Sequence, residues 1–278
     1  ERDLIREVCT AYHAAGTKVV VVLNVGGAFE TASWAKLPDA ILLAWQTGEQ
    51  GGHAVAEALK GTINPSGKLP VSFPVKYEDV PSSTTFTKDT EAGKTNIYPV
   101  LYNDGIYVGY RYFNSFNVPV AYEFGYGLSY TSFDYSGLKL SSPEFSGKIS
   151  ATVTIRNSGK VPGKEVVQLY LAAPSAEIEK PVQELKAYAK TKLLAPGESQ
   201  TLSFELDARA LSSFRSGISA WVADKGTYEV RIGASSADIR QNASFTLATD
   251  RMVEKVHNVL YPYSVMEFVL DELTVQKK

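Results

Sequence analysis

Leu37–Pro74 reads LPDAILLAWQTGEQGGHAVAEALKGTINPSGKLPVSFP, and its reading decides the fold. Ile41, Leu42, Leu43, Ala44 and Trp45 form a short apolar run bounded by Pro38 and Gly48. That is the pattern of a strand buried on both faces, as in a parallel sheet. A turn containing glycine follows, then a helix predicted over Glu49–Lys60. Its apolar positions Val55, Ala58 and Leu59 fall three and four apart. Gly61 stands where a helix commonly ends. Asn64-Pro65-Ser66-Gly67 is a turn cluster. Leu69, Val71 and Phe73 then alternate with small or polar residues as a strand should. The expectation is strand–turn–helix–turn–strand, the unit of an open α/β layer.

Upstream, Leu4, Ile5, Val8, Ala11, Tyr12 and Ala15 mark one face of a helix stopped by Gly16. Lys18–Asn24 is a second valine-rich strand, broken by Gly26-Gly27. Ala28–Lys36 reads as a loop or irregular helix carrying Glu30 and Trp34. Residues 1–80 thus hold part of an open α/β sheet, too few strands to cover their own apolar faces. The expectation is that the rest of that layer lies elsewhere and that the chain is a portion of a larger protein.

Downstream, residues 81–127 change character. Pro81–Thr85 and Thr87–Asn96 read as a long surface loop. An aromatic-rich piece follows, with tyrosines at 107, 110, 112, 122, 126, 130 and 135. Packing between modules is the favoured reading of these rings, ahead of a sugar-stacking platform. Residues 128–247 alternate strictly: Ile149, Ala151, Val153 and Ile155 point one way, and Ser150, Thr152, Thr154 and Arg156 the other. Val167, Leu169 and Leu171, then Leu202, Phe204 and Leu206, then Tyr228, Val230 and Ile232 repeat the pattern. Turns at Asn157-Ser158-Gly159, Pro162-Gly163, Pro196-Gly197 and Lys225-Gly226 separate them. About seven strands at this spacing predict an antiparallel β-sandwich. Residues 248–278 read as a tail or linker toward another domain, with a capping-box spacing at Ser264 and Glu267 and a helical stripe of Val265, Phe268, Val269 and Leu273.

Composition narrows the function. With 28 basic and 30 acidic residues among 278, the net charge is −2, so no basic footprint argues for nucleic acid. No apolar run approaches a membrane span. Cys9 is the only cysteine, which excludes an internal disulfide, and the three histidines are scattered. No metal site and no cofactor are expected. No secretory leader opens the chain, and a cytoplasmic location is the expectation. No Gly-x-Ser-x-Gly elbow occurs, Gly93-Lys94-Thr95 lacks the first glycine of a phosphate loop, and Asn242-Ala243-Ser244 is a glycosylation triplet of a kind common by chance.

Five segments carry a resemblance: KVVVVLN at Lys18–Asn24, ILLAWQTGEQGG at Ile41–Gly52, INPSGKLPVSFP at Ile63–Pro74, YVGYRYF at Tyr107–Phe113 and YEFGYGLSYTSFDYS at Tyr122–Ser136. In order and spacing they are similar to family-3 glycoside hydrolases of the β-glucosidase type, over nearly all of residues 1–247. The family usually has Gln-Glu where this chain has Glu49-Gln50. The resemblance implies the end of an α/β sandwich domain followed by a fibronectin type III-like sandwich. It implies a parent enzyme that removes glucose, or xylose or another sugar, from β-linked glycosides or short oligosaccharides. The reaction would proceed with retention through a covalent glycosyl-enzyme, which needs two carboxyl groups about 5 Å apart. In the family the nucleophile is an Asp in a Ser-Asp-Trp context on a barrel domain. Here the tryptophans stand in Ser33-Trp34, Ala44-Trp45 and Ala220-Trp221, and the barrel's Lys-His pair is absent too. The acid/base Glu belongs to a loop preceding the segment that begins at Glu1. No catalytic residue therefore maps onto this chain, and the missing barrel is its expected partner; the alternative reading is a non-catalytic structural or carbohydrate-binding module.

Three residues remain as candidates for contact with substrate. Glu30 and Glu49 follow strands, and ligands of open α/β sheets sit beyond the carboxyl ends of strands. Local hydrogen bonding is the competing reading of Glu30. A place in the first turn of the helix, where the dipole favours an acid, is that of Glu49. Gln50 offers an amide for a sugar hydroxyl or for the start of the helix.

Overall fold

A computed structural model describes residues 1–84 and 104–257. Most of the expected surface loop and the stripe Val265–Leu273 lie outside the described residues.

The α/β part starts with α1 (Arg2–Ala14), then β1 (Val20–Leu23), β2 (Ala40–Leu43) and α2 (Gly51–Lys60). β1 and β2 pair in parallel, Val20 against Ala40 through Leu23 against Leu43. Gly61, at φ 76°, closes α2 in the left-handed conformation that only glycine adopts without strain. Asp39 ties helix to sheet: it accepts from Lys18 Nζ at 2.7 Å and the Val19 N–H at 2.9 Å, with His13 Nε2 at 2.9 Å. The Lys18 ammonium first, then that N–H and His13, hold its carboxyl well below the usual range.

Three expectations for this part are corrected. β2 is not buried on both faces; no residue of β1 or β2 is fully buried, and Val20 and Val22 are 43% and 40% exposed. The face of α1 that should be covered is also open, with Leu4 63% exposed and only Cys9 buried. The third strand does not join the parallel pair either. Only Phe73–Pro74 (β3) is extended and paired, and its partner is β4 (Val120–Tyr122), antiparallel. Further back along the same run, Leu69 exchanges bonds with Tyr126 and Gly125, both at 2.8 Å. Pro70 and Pro74 supply no N–H, so this ladder is interrupted and cannot sit inside a sheet. α3 (Tyr110–Ser115) immediately precedes β4.

The second part is a sandwich. Its strands are β5 (Phe133–Leu140), β6 (Lys148–Asn157), β7 (Val166–Ala172), β8 (Glu184–Lys190) and β9 (Ser199–Asp207). A one-turn helix, α4 (Ala208–Leu211), follows, capped by the Asp207 carboxylate. Then come β10 (Ser213–Arg215), β11 (Ala220–Ala223), β12 (Gly226–Gly233), β13 (Ile239–Leu247) and β14 (Arg251–Lys255). One sheet has the order β5-β6-β9 and the facing one β13-β12-β7-β8, seven strands in all, as the alternation predicts. A third small sheet, β10-β11-β14, takes in residues beyond 247. The α/β pair followed by this sandwich is the expected fold class.

Period-two burial drives the sandwich. On β6, Ile149, Ala151, Val153 and Ile155 are at most 1% exposed, and Leu206, Phe204 and Leu202 of β9 stand opposite the first three. Each such aliphatic side chain contributes about 1.5–3 kcal/mol when fully buried. β7 departs from alternation: Val167 to Leu171 are buried without a break, because the α/β part covers the outer face of its sheet. Elsewhere Lys180 and Asp224, each 3% exposed, form an ion pair that Arg215 joins, fastening the loop after β7 to the end of β11.

Neighbours on β9 test this account. Leu206 is wholly buried and Glu205 is 64% exposed beside Lys148. Leu206→Ala is expected to lower the stability of the sandwich by about 2–5 kcal/mol, and Glu205→Ala by less than about 0.5 kcal/mol, read from urea unfolding followed by tryptophan fluorescence. Equal effects would contradict the assignment of faces.

Candidate functional site

Two places bring chemistry together. The first is the rim where β1 and β2 end. The chain leaves Leu23 and turns through Glu30; both oxygens of that carboxylate are taken by Ser33, the N–H at 2.6 Å and the hydroxyl at 2.7 Å. The carbonyl of Glu30 accepts the Trp34 indole N–H at 3.2 Å, and Trp34 is buried. Glu30 thus shapes its own turn. The other loop leaves Leu43 through Trp45, whose φ of 54° is an outlier for a bulky residue and costs about 1–3 kcal/mol. Glu49 is exposed and lies one residue before the Gln50 cap, so the expectation that it occupies the first helical turn is corrected. That first turn contains no acid, and the Gln50 side chain makes no capping bond. Among the described residues no hydrogen bond or ion pair joins Glu30 to Glu49 or Gln50; the structure does not gather them into one group.

Phe73 organises the floor of the rim. It is 2% exposed, and the rings of Phe29, Trp45 and Tyr122 stand 6.0, 6.3 and 6.1 Å from it. Contacts of this kind add about 0.5–1.5 kcal/mol each beyond area burial. One apolar residue so connects both rim loops to β4.

The second place is the seam between the two parts. Asn64 accepts from Ser129 Oγ at 3.0 Å and the Tyr130 N–H at 2.9 Å, and donates to the carbonyl of Pro162 at 2.9 Å. Gln168, buried on β7, donates to the carbonyls of Gly125 and Ala234 at 3.1 and 2.7 Å and accepts from Tyr170 at 2.6 Å. The approach demands glycine at 125: its φ is 82°, and a Cβ there would fall 2.0 Å from Gln168 Oε1. Tyr110 stacks on Phe124 with centroids 4.6 Å apart and accepts the Leu185 N–H through its hydroxyl at 2.7 Å. These tyrosines pack the two parts together.

At the centre of the seam Lys68 meets Glu165 at 3.1 Å, with side chains 12% and 7% exposed. Tyr135 donates to the same carboxylate oxygen at 2.8 Å. Burial first, then the Glu165 charge, pushes the Tyr135 hydroxyl far above the usual phenol range. Beside them opens a polar cavity of about 500 Å³, lined also by Glu123, Tyr126, Asp134, Asp238 and Arg240. Arg240 grips both oxygens of Asp238 at 2.5 and 2.6 Å, and Ser235 donates to Glu123 at 2.7 Å. Glu165, Asp238 and Glu123 are thus held by cations or hydroxyls, and the Lys68–Glu165 and Ser235–Glu123 contacts cross from one part to the other. Lys68, Glu165 and Gln168 carry no local sequence signal for this role; Lys68 stands out only as a cation next to the Asn64–Gly67 turn.

Comparison with known proteins bears on both parts. The family described as "Glycosyl hydrolase family 3 C-terminal domain" matches residues 1–130, and "Fibronectin type III-like domain" matches residues 165–236. This chain belongs to glycosyl hydrolase family 3. Beta-glucosidase A of Butyrivibrio fibrisolvens is 39% identical over 285 residues, covering 94% of this chain and 33% of that protein. An exo-α-(1→6)-L-arabinopyranosidase of Bifidobacterium breve is 37% identical over 239 residues, covering 85% of this chain and 30% of that protein. Among solved structures, β-glucosidase 3B from Thermotoga neapolitana in complex with α-D-glucose superposes with a TM-score of 0.84 at 48% identity, over 91% of this chain and 34% of that one. The chain spans about a third of the length of these family 3 relatives.

The seam pair supplies a test. Lys68→Met leaves a buried carboxylate without its cation and is expected to cost about 3–5 kcal/mol. The double variant with Glu165→Gln should recover part of that loss, as read by urea unfolding of the full chain. A neutral single variant would mean that the two parts are not fastened through this pair.

Proposed function

We propose that this chain is the C-terminal portion of a retaining β-glucosidase, and that the nucleophile and the acid/base lie outside these residues. The supporting observation is the joint match of both parts to family 3 relatives three times as long. Retention needs two carboxyl groups about 5–5.5 Å apart, one to attack the anomeric carbon and one to move the proton. Glu30 serves its own turn, Glu49 has no hydrogen bond or ion pair among the described residues, and Glu165, Asp238 and Glu123 are bound in the seam. The chain's contribution is then positional: the rim of β1 and β2 completes a cleft against a barrel, and the sandwich braces the rim through the seam.

β-Linked glucosides or short oligosaccharides are the substrates this reading assigns to the whole enzyme. Choice of sugar lies outside this region, because relatives named for glucose and for arabinopyranose resemble it about equally, at 39% and 37% identity.

Release of nitrophenol from an aryl β-glucoside tests the reading. The pure 278-residue chain is expected to release none, whereas the product of the complete parent gene is expected to turn the substrate over. Hydrolysis by the chain alone, or none by the complete protein on any aryl glycoside, would overturn it.

A further inference from the structure

The cavity at the seam has no part in the reaction as proposed, yet its chemistry is that of a binding site. Its volume of about 500 Å³ falls within the range of about 300–1,000 Å³ for small-molecule pockets, which favour interfaces between domains. Four carboxylates, of Glu123, Asp134, Glu165 and Asp238, face two cations, Lys68 and Arg240. That balance disfavours an anion. The predominance of ionised and hydroxyl groups disfavours an apolar ligand. Among the described residues no group of three His, Cys, Asp or Glu converges as a metal site. What fits is a neutral molecule rich in hydroxyls, each of which both donates and accepts.

Hydrogen-bonding capacity remains for such a ligand. Among the described residues Glu165 uses only Oε1, for Lys68 and Tyr135, and Glu123 uses only Oε1, for Ser235. Asp134 is exposed and takes no protein donor among the described residues. Arg240 spends Nε and one Nη on Asp238, which leaves Nη1 as a donor. Tyr126, whose ring packs on Tyr122 at 5.2 Å, adds an aromatic wall.

We propose that the seam cavity binds a neutral sugar of one or two pyranose rings. The choice of a sugar over other polyols rests on the hydrolase reading above; the cavity and its free donors and acceptors do not. Lys68 and the loop at 123–132 contribute from one side, and Glu165, Asp238 and Arg240 from the other. A bound sugar therefore holds the two parts in register and stabilises the folded chain by mass action.

Calorimetric titration of the full chain with glucose and with cellobiose tests this by binding rather than turnover, so its failure leaves the hydrolysis result standing. Saturable binding is expected for at least one of the two sugars, together with a raised melting temperature. The double variant Glu123→Gln, Asp134→Asn removes two carboxylates while an amide oxygen at position 123 can still accept from Ser235, and is expected to weaken binding at least about tenfold with the ligand-free melting temperature nearly unchanged. Glu49→Gln, at the rim, should leave binding intact. No saturation by either sugar, or loss of binding in Glu49→Gln but not in the double variant, would overturn the assignment.

Discussion

Among the described residues Val20–Leu23 and Ala40–Leu43 pair only with each other, and two parallel strands cannot cover their own faces. Parallel sheets persist where layers lie on both sides. Here α1 and α2 leave Val20 and Val22 about two-fifths exposed, and the apolar stripe of α1 is itself open at Leu4 and Tyr12. That unmet burial is the constraint on which the rest depends. The sandwich cannot relieve it, because its own contacts are made elsewhere, through β3, β4 and the turn at Asn64. The α/β part is thus held from one side by the seam and leaves apolar side chains exposed on its other side.

The seam is built of polar groups chosen to match one another. Lys68 with Glu165, Gln168 with the Gly125 carbonyl, and Asn64 with the Pro162 carbonyl each join groups from opposite parts. Buried pairs of this kind add little net stability over apolar packing, but a partner left alone is costly. Such an interface resists sliding, since any shift leaves several groups unpaired at once. The Phe73 hub carries the same rigidity from the seam to the rim loops.

Much of this architecture was legible in the residues. Ile149–Ile155 and Leu202–Leu206 alternate so strictly that their inner face could be named, and the Gly61 stop and the β2 run placed α2 to within two residues. The run Leu69–Phe73 misled because alternation reports burial and not the partner strand; Pro70 and Pro74 were the warning. On β7, Gln168 and Tyr170 read as solvent-facing until the neighbouring part is seen to cover them. For the candidate site the resemblance outran the residues. For Glu30 the sequence favours local hydrogen bonding over a place in a cleft, and the Ser33 contacts agree with that reading. The Lys68–Glu165 pair joins distant points of the chain, and no local spacing announces it. Trp45 in the left-handed region is equally silent in sequence, since bulky residues seldom adopt it.

Amide hydrogen exchange reads the central claim most directly. In the 278-residue chain, the amides of Val20–Leu23 and Ala40–Leu43 should exchange much faster than those of Ile149–Ile155 and Val167–Leu171, which open only with the sandwich. In the complete parent protein the same α/β amides should become as protected as the sandwich core. Equal protection of both sets in the chain alone would contradict the account, for it would mean that this pair of strands needs no further layer.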